Sequence, residues 1–230
     1  MVADDPEKVS TRPDDTSTHL GPQLIGIVDG TKKELLIVFP YFVPGKEGVD
    51  WFAALSQRGV AVKVVTNSLD STDVAAVHAG YAKYRRPLLE TGVELHEMKS
   101  ARPGVERKDG LVKAPFSLSG SSKAGLHAKT FVFDRRWVFV GPMNLDPRSL
   151  KLNTEIGMIT ECPQLAGEII LGMEEHLPEL AYEVELTHAG LQWTTKENGQ
   201  TIRRKSEPDG GFWKRLMWRV SAMLPIEGQL

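Results

Sequence analysis

Hydrophobic residues fall in short runs along this chain, and the runs change period. Leu35–Pro40 is continuously apolar, as a buried strand is. Asp50–Arg58 has helical spacing and is closed by Gly59. Val60–Thr66 reads as a second strand, Asp73–Thr91 as a helix bent near Pro87, and Val93–Met98 as a third strand. Residues 128–134 alternate and are rich in Phe and Val, and the next residues turn the chain into an apolar strand, Val138–Gly141. Thr154–Thr160 is strand-like, and Pro163–Leu186 is mainly helical with a break expected at Pro178. Leu191–Thr195 and Gln200–Arg204 flank Glu197, Asn198 and Gly199, a hairpin signal. Strands alternating with helices predict an α/β fold, a mixed β-sheet flanked by helices on both faces.

The alternating run at 128–134 carries the chemistry. It puts His127, Lys129, Phe131 and Phe133 on one face, and Ala128, Thr130 and Val132 on the other. The lysine ammonium therefore lies beside the imidazole. The hairpin brings Asn144 back toward His127, giving the pattern H-x-K-x4-D-x6-G-x-x-N once in the chain. An imidazole can attack phosphorus or protonate a leaving oxygen at neutral pH. An ammonium and an amide can hold the non-bridging oxygens of a phosphodiester. Glu155 follows on the next strand-like run, where its carboxylate is expected to bond the second imidazole nitrogen and fix the tautomer. Asp134, at a strand end, reads as a turn or ion-pair residue. Asp146 and Ser149 are expected to hydrogen-bond the loop after Asn144, and Arg148 to hold Asp134 or Asp146. Such a set needs neither a metal nor a cofactor. His78, beside Tyr81 and Tyr84, is open between a packing role and substrate contact.

These residues resemble a known family. Residues 126–158 are similar to the HKD motif of the phospholipase D superfamily, extended by N-x-D-x-R-S and N-x-E elements. Residues 40–45, 66–73, 78–85 and 224–227 resemble the second half of bacterial cardiolipin synthases of the C type, so the likeness runs from Val2 to Leu230. The resemblance implies a phospholipase D-like α/β/α sandwich with one HKD half. It implies a phosphohistidine intermediate and transfer of a phosphatidyl group to the glycerol end of phosphatidylglycerol or a similar phospholipid. By position, His127 and Lys129 match the motif, Asn144 the phosphate-binding asparagine, Asp134 a structural aspartate, and Glu155 the glutamate behind the histidine. It further implies peripheral contact with the cytoplasmic side of an inner membrane.

Two departures stand out. Gly141-Pro142-Met143-Asn144 replaces the usual Gly-Ser-x-Asn, and proline supplies neither hydroxyl nor N–H. The chain also has one HKD motif where the family's sites use two. One histidine cannot be both nucleophile and acid in an in-line displacement. A second half is therefore expected, either another copy across a two-fold axis or a missing N-terminal half. The alternatives are a homodimeric phosphodiesterase, phospholipase or nuclease, and a catalytically idle half-domain. Whether His127 is nucleophile or acid stays open.

Composition adds limits. With 28 Lys and Arg against 30 Asp and Glu, the net charge of −2 argues against a dedicated nuclease, which usually shows a basic surface. One cysteine, Cys162, excludes an intramolecular disulfide framework. No Cys/His cluster has metal-ligand spacing, and no apolar run approaches the roughly 18–20 residues of a membrane span. Residues 1–20 are polar and linker-like, 21–205 form the expected domain, and 206–230 hold an amphipathic tail suited to an anionic membrane surface or to docking on protein. The basic stretch Lys99–Lys123 reads either as a lid that attracts phosphate head groups or as a solvated surface loop.

Overall fold

The computed structural model describes residues 1–10, 12, 15–72, 74–100, 126–146, 149 and 153–208. Arg148, most of the basic stretch and most of the tail lie outside them. Three strands run parallel: β2 (Glu34–Val38), β3 (Ala61–Asn67) and β4 (Glu94–Met98). On one side β2 pairs antiparallel with β5 (Thr130–Phe133), which leads to β6 (Trp137–Val140), β7 (Ile156–Glu161) and β1 (Val2–Ala3). On the other, β4 pairs with β8 (Ala181–Thr187), followed by β9 (Gly190–Glu197) and β10 (Gln200–Arg204). The result is one ten-stranded mixed sheet.

Helices cover both faces, as alternation predicts. One core cluster joins α1 (Leu20–Val28), α2 (Gly45–Gln57), α3 (Ala75–Ala82) and α4 (Arg85–Glu90) to Leu35, Ile37, Phe131 and Phe139. The other joins α5 (Pro163–Leu180) to Leu36, Val38, Val132 and Val138. Odd and even residues of β5 thus go to opposite cores, which is the period of two read directly.

Several elements differ from expectation. The helix expected over 73–91 is two helices, α3 and α4, broken before Arg85 and not at Pro87. Pro87 sits in the first turn of α4, where its missing N–H removes no helical bond. Pro178 lies in the last turn of α5, and residues 181–186, the end of the run expected to be mainly helical, belong to β8. There Ala181, Tyr182 and Val184 are buried while Glu183 is exposed, and the strand is fixed by its neighbours β4 and β9. No element was expected over α1. Gly21, Pro22 and Gly26 weaken its helix signal, although Leu20, Leu24 and Val28 recur at the helical spacing and are buried.

The polar segment at the start is also not a free linker in its described part. Val2 and Ala3 pair with Gly157 and Ile156. Asp4 and Lys8 are buried and bridged at 2.9 Å, and Asp4 Oδ1 accepts from Leu20 N. Burial of a matched ion pair, invisible to composition, converts a polar stretch into a docked one.

The β6–β7 pairing depends on two glycines. Phe139 is fully buried, and its ring lies across Gly157 and Gly141. A Cβ on Gly157 would stand 2.2 Å from Phe139 Cε2, and one on Gly141 would stand 2.9 Å from Cζ. Gly157→Ala is therefore expected to cost about 1–3 kcal/mol, as overpacking does. A urea titration should show a lower midpoint at an unchanged slope.

Candidate active site

The β5–β6 hairpin holds the motif between two anchors. Asp134 closes the turn at one end, with a left-handed φ of 55°. Its carboxylate accepts from the backbone N–H groups of Lys32 (3.0 Å), Lys33 (2.8 Å) and Glu34 (3.3 Å). Arg135, beside it, bridges Glu34 and Glu174. Asp134 thus fastens the hairpin to the start of β2, at the opposite end of β5 from His127. It is the turn residue that the sequence suggests, and it lies outside the strand rather than in it.

At the other end β5 begins at Thr130, two residues later than the alternation predicts. Residues 126–129 are extended but unpaired as strand, and a side chain holds them. Asn67, at the end of β3, accepts from Leu126 N at 2.8 Å and donates to Leu126 O at 3.3 Å. The amide mimics a neighbouring strand and fixes the backbone immediately before His127. Ser71 supports it, donating to Asn67 Oδ1 at 3.2 Å and to Met98 O at 2.8 Å. The sequence reading marked residues 66–73 as family-like but gave Asn67 no role. Its signal was only an Asn at a strand end. Asn67→Ala should speed hydrogen exchange of the Leu126 amide at least tenfold while the amides of β2 keep their protection.

His127 and Lys129 follow this anchor directly. His127 is exposed, and Lys129 Nζ donates to the His127 carbonyl at 3.3 Å. Gly141 N donates to Lys129 O at 3.2 Å, extending the hairpin ladder toward the loop that carries Asn144. Burial pushes the Lys129 ammonium below its usual range, against the pull of the Glu155 and Asp146 carboxylates. Burial pushes the Glu155 carboxyl up, opposed by a hydrogen bond from Asn153 and reinforced by the Asp4 carboxylate. Among the described residues the buried Asn144 Oδ1 has no hydrogen-bond partner, where most buried polar atoms are satisfied.

Asp146 and Ser149 do what the sequence suggests. Both are buried, and Asp146 Oδ1 accepts from Ser149 N at 2.8 Å, capping the loop after Asn144. Lys8 Nζ donates to Ser149 O at 3.3 Å, so the initial segment braces this loop too. Pro142 is exposed between Gly141 and the buried Met143.

Glu155 departs from expectation. Its backbone N–H donates to Asp4 Oδ2 at 2.7 Å, and its carboxylate accepts from Asn153 at 3.4 Å. Among the described residues it makes no hydrogen bond to His127. The Glu155 carboxylate stands within electrostatic reach of Lys129 and Asp146. His78 is not at the motif either. It is buried, with Nε2 at 2.9 Å from both Arg85 and Glu207. Among the described residues, no group of three or more His, Cys, Asp or Glu is placed to hold a metal.

A family profile described as "Cardiolipin synthase, PLD-like domain" matches residues 24–177, which hold the whole constellation from Asn67 to Glu155. The chain belongs to the phospholipase D-like family. It is 38% identical over 228 residues to cardiolipin synthase C of Escherichia coli, covering 99% of this chain and 47% of that protein. It thus spans about half the length of the curated relatives it matches. An uncharacterized Helicobacter pylori protein is 30% identical over 228 residues, with 42% of its length covered. Among solved structures, the phospholipase D family member Nuc from Salmonella typhimurium shares the fold at a TM-score of 0.51 and 16% identity. That match covers 71% of this chain and 90% of Nuc. Phosphatidylserine synthase of Haemophilus influenzae shares it at 0.51 and 15%, covering 73% and 37%.

Proposed function

We propose that this chain supplies one HKD half of a phosphatidyltransferase of the cardiolipin synthase type, acting on glycerophospholipids. One observation carries the reading. An exposed imidazole and a partly buried ammonium stand two residues apart just before β5, and the Gly141 N–H bond to Lys129 O ties them to the loop that carries the buried Asn144 oxygen. A phosphodiester there receives charge from Lys129 and a hydrogen bond from Asn144, while His127 faces its phosphorus or its bridging oxygen. The likeness to cardiolipin synthase C supports lipid over nucleic acid, as does the mildly acidic chain.

The chemistry needs two histidines. One attacks phosphorus and forms an N–P bond as the bond to the leaving alcohol breaks. The other gives that alkoxide its proton. An acceptor hydroxyl, such as the glycerol end of phosphatidylglycerol, then gives its proton to the second histidine. The acceptor oxygen bonds to phosphorus and the N–P bond breaks. His127 takes one of these roles and the histidine of a second HKD half takes the other. That half is another copy of this chain or the remainder of a longer protein. Glu155 balances the charge of Lys129. No helix among the described residues is long and apolar enough to cross a membrane. Access to lipid by peripheral contact with the cytoplasmic side of the inner membrane is part of the proposal.

The test is substrate class. Purified full chain, alone and mixed with a separately expressed second half, is incubated with phosphatidylglycerol vesicles and, separately, with DNA. Cardiolipin and glycerol in the mixed sample support the reading, and cleavage of DNA alone sinks it. A phosphatidyl group trapped on His127 and identified by mass spectrometry assigns it as the nucleophile.

A further inference from the structure

An apolar cavity of about 200 Å3 lies between α1 and α2. Phe52 and Phe131 are its buried walls, while Ile25, 42% exposed, and Trp51 stand at its mouth. Met143 and Leu145 also line it, and these are the two neighbours of Asn144. Phe131 lies two residues beyond Lys129 in the alternating run. Through Met143 and Leu145 the cavity borders the loop that carries Asn144. Two further contacts hold its wall against the motif loop. Phe42 bridges Leu145, and Val43 N donates to Leu145 O at 2.7 Å.

We infer that this cavity takes a segment of a hydrocarbon chain of the lipid whose phosphodiester lies at Lys129 and Asn144. The inference rests on the lipid reading above and adds to it where the chain goes. Glu47 is the one charged side chain among the lining residues. A water held there finds few polar partners, and buried waters usually need two to four. Each methylene moved from water into such a place tightens binding about three- to fourfold. The volume is below the roughly 300–1,000 Å3 of a site for a drug-sized molecule, so part of one chain fits and a whole lipid does not. A nucleic acid would instead use aromatic platforms along a basic groove.

Binding is measured apart from turnover. The full chain is titrated with alkyl phosphocholines of six to twelve carbons, each below its micelle concentration, and with chainless glycerophosphocholine. Tryptophan fluorescence reports occupancy through Trp51, with Trp51→Phe as the signal control. Affinity is expected to rise about three- to fourfold per methylene and then level off. Glycerophosphocholine should leave the Trp51 signal unmoved. Ile25→Asp, at the exposed mouth, should weaken alkyl binding at least fivefold. It should leave cleavage of the chainless diester bis(p-nitrophenyl) phosphate unchanged. Leu24→Phe, which fills the cavity, should cut binding further. Affinity that ignores chain length, or that neither variant alters, overturns the inference. Alkyl binding without lipid turnover sustains the cavity and overturns the transferase. Lipid turnover with no chain-length dependence does the reverse.

Discussion

Arg85→Met is expected to lower the unfolding free energy by about 3–5 kcal/mol, the range for removing one partner of a buried charge pair. Arg85 is 2% exposed and bonds three acidic oxygens. Its Nε donates to Glu97 Oε1 at 2.6 Å, and its two terminal nitrogens donate to Glu207 at 2.7 and 2.6 Å. Glu97, fully buried, also accepts from Tyr81 at 2.9 Å and from Trp193 at 3.0 Å. The guanidinium stacks over the Tyr81 and Trp193 rings at 5.1 and 5.3 Å. Methionine keeps the packing and leaves two carboxylates in a dry site without their cation. Chemical denaturation at neutral pH measures the loss, and a change under about 1 kcal/mol would mean that the cluster behaves as surface pairs do.

The same cluster sets an acid dependence. Burial alone would raise the Glu207 carboxyl, but a hydrogen bond from His78 and the charge of Arg85 hold it down at about 2, against an ordinary 4.5. Its folded value is thus below its unfolded one. The stabilisation is full above pH 4.5 and is lost as the pH falls toward 2. Glu207→Gln should therefore be less stable than the parent at pH 6, and the gap should close between pH 4.5 and 2. Melting temperatures across that range read it directly.

What the sequence showed of this molecule follows from range. Strands β2 to β6 announce themselves because apolar patterning is local, but their order does not, since β5 pairs with β2 and not with its sequence neighbour β4. The same local alternation marks His127 and Lys129, although both precede β5, which begins at Thr130. Long-range supports were not legible. Asn67 reaches Leu126 across 59 positions, and Asp4 meets Glu155 across 151. Each is a single polar side chain satisfying a distant backbone, and neither leaves a periodic trace. Among the described residues the expected Glu155–His127 bond is absent; Asp4 holds the Glu155 backbone N–H and Asn153 its carboxylate. The strand β8 was missed differently. Its alternation is plain in Ala181–Thr187, but the helical run ahead of it was extended through it.

His127→Asn is expected to lower lipid turnover about 10⁴-fold in the assembled enzyme while leaving the melting temperature unchanged. Either role assigned to His127 predicts the loss. Removing a positioned acid or base costs about 10²–10⁴ in rate, and removing a nucleophile costs more, because the members of such a site act as a unit. Asparagine is near in size and cannot titrate or hold a phosphoryl group. The fold is indifferent because His127 is exposed. Surface changes usually fall within about 0.5 kcal/mol. The two measurements therefore separate chemistry from folding. Turnover that survives within tenfold, with a normal melt, would remove His127 from the reaction and leave Lys129 and Asn144 as a phosphate-binding pair. Turnover lost together with the melt would point to the Asn67–Leu126 anchor having been disturbed. The parallel Asn67→Ala exchange experiment then distinguishes a displaced backbone from an absent imidazole.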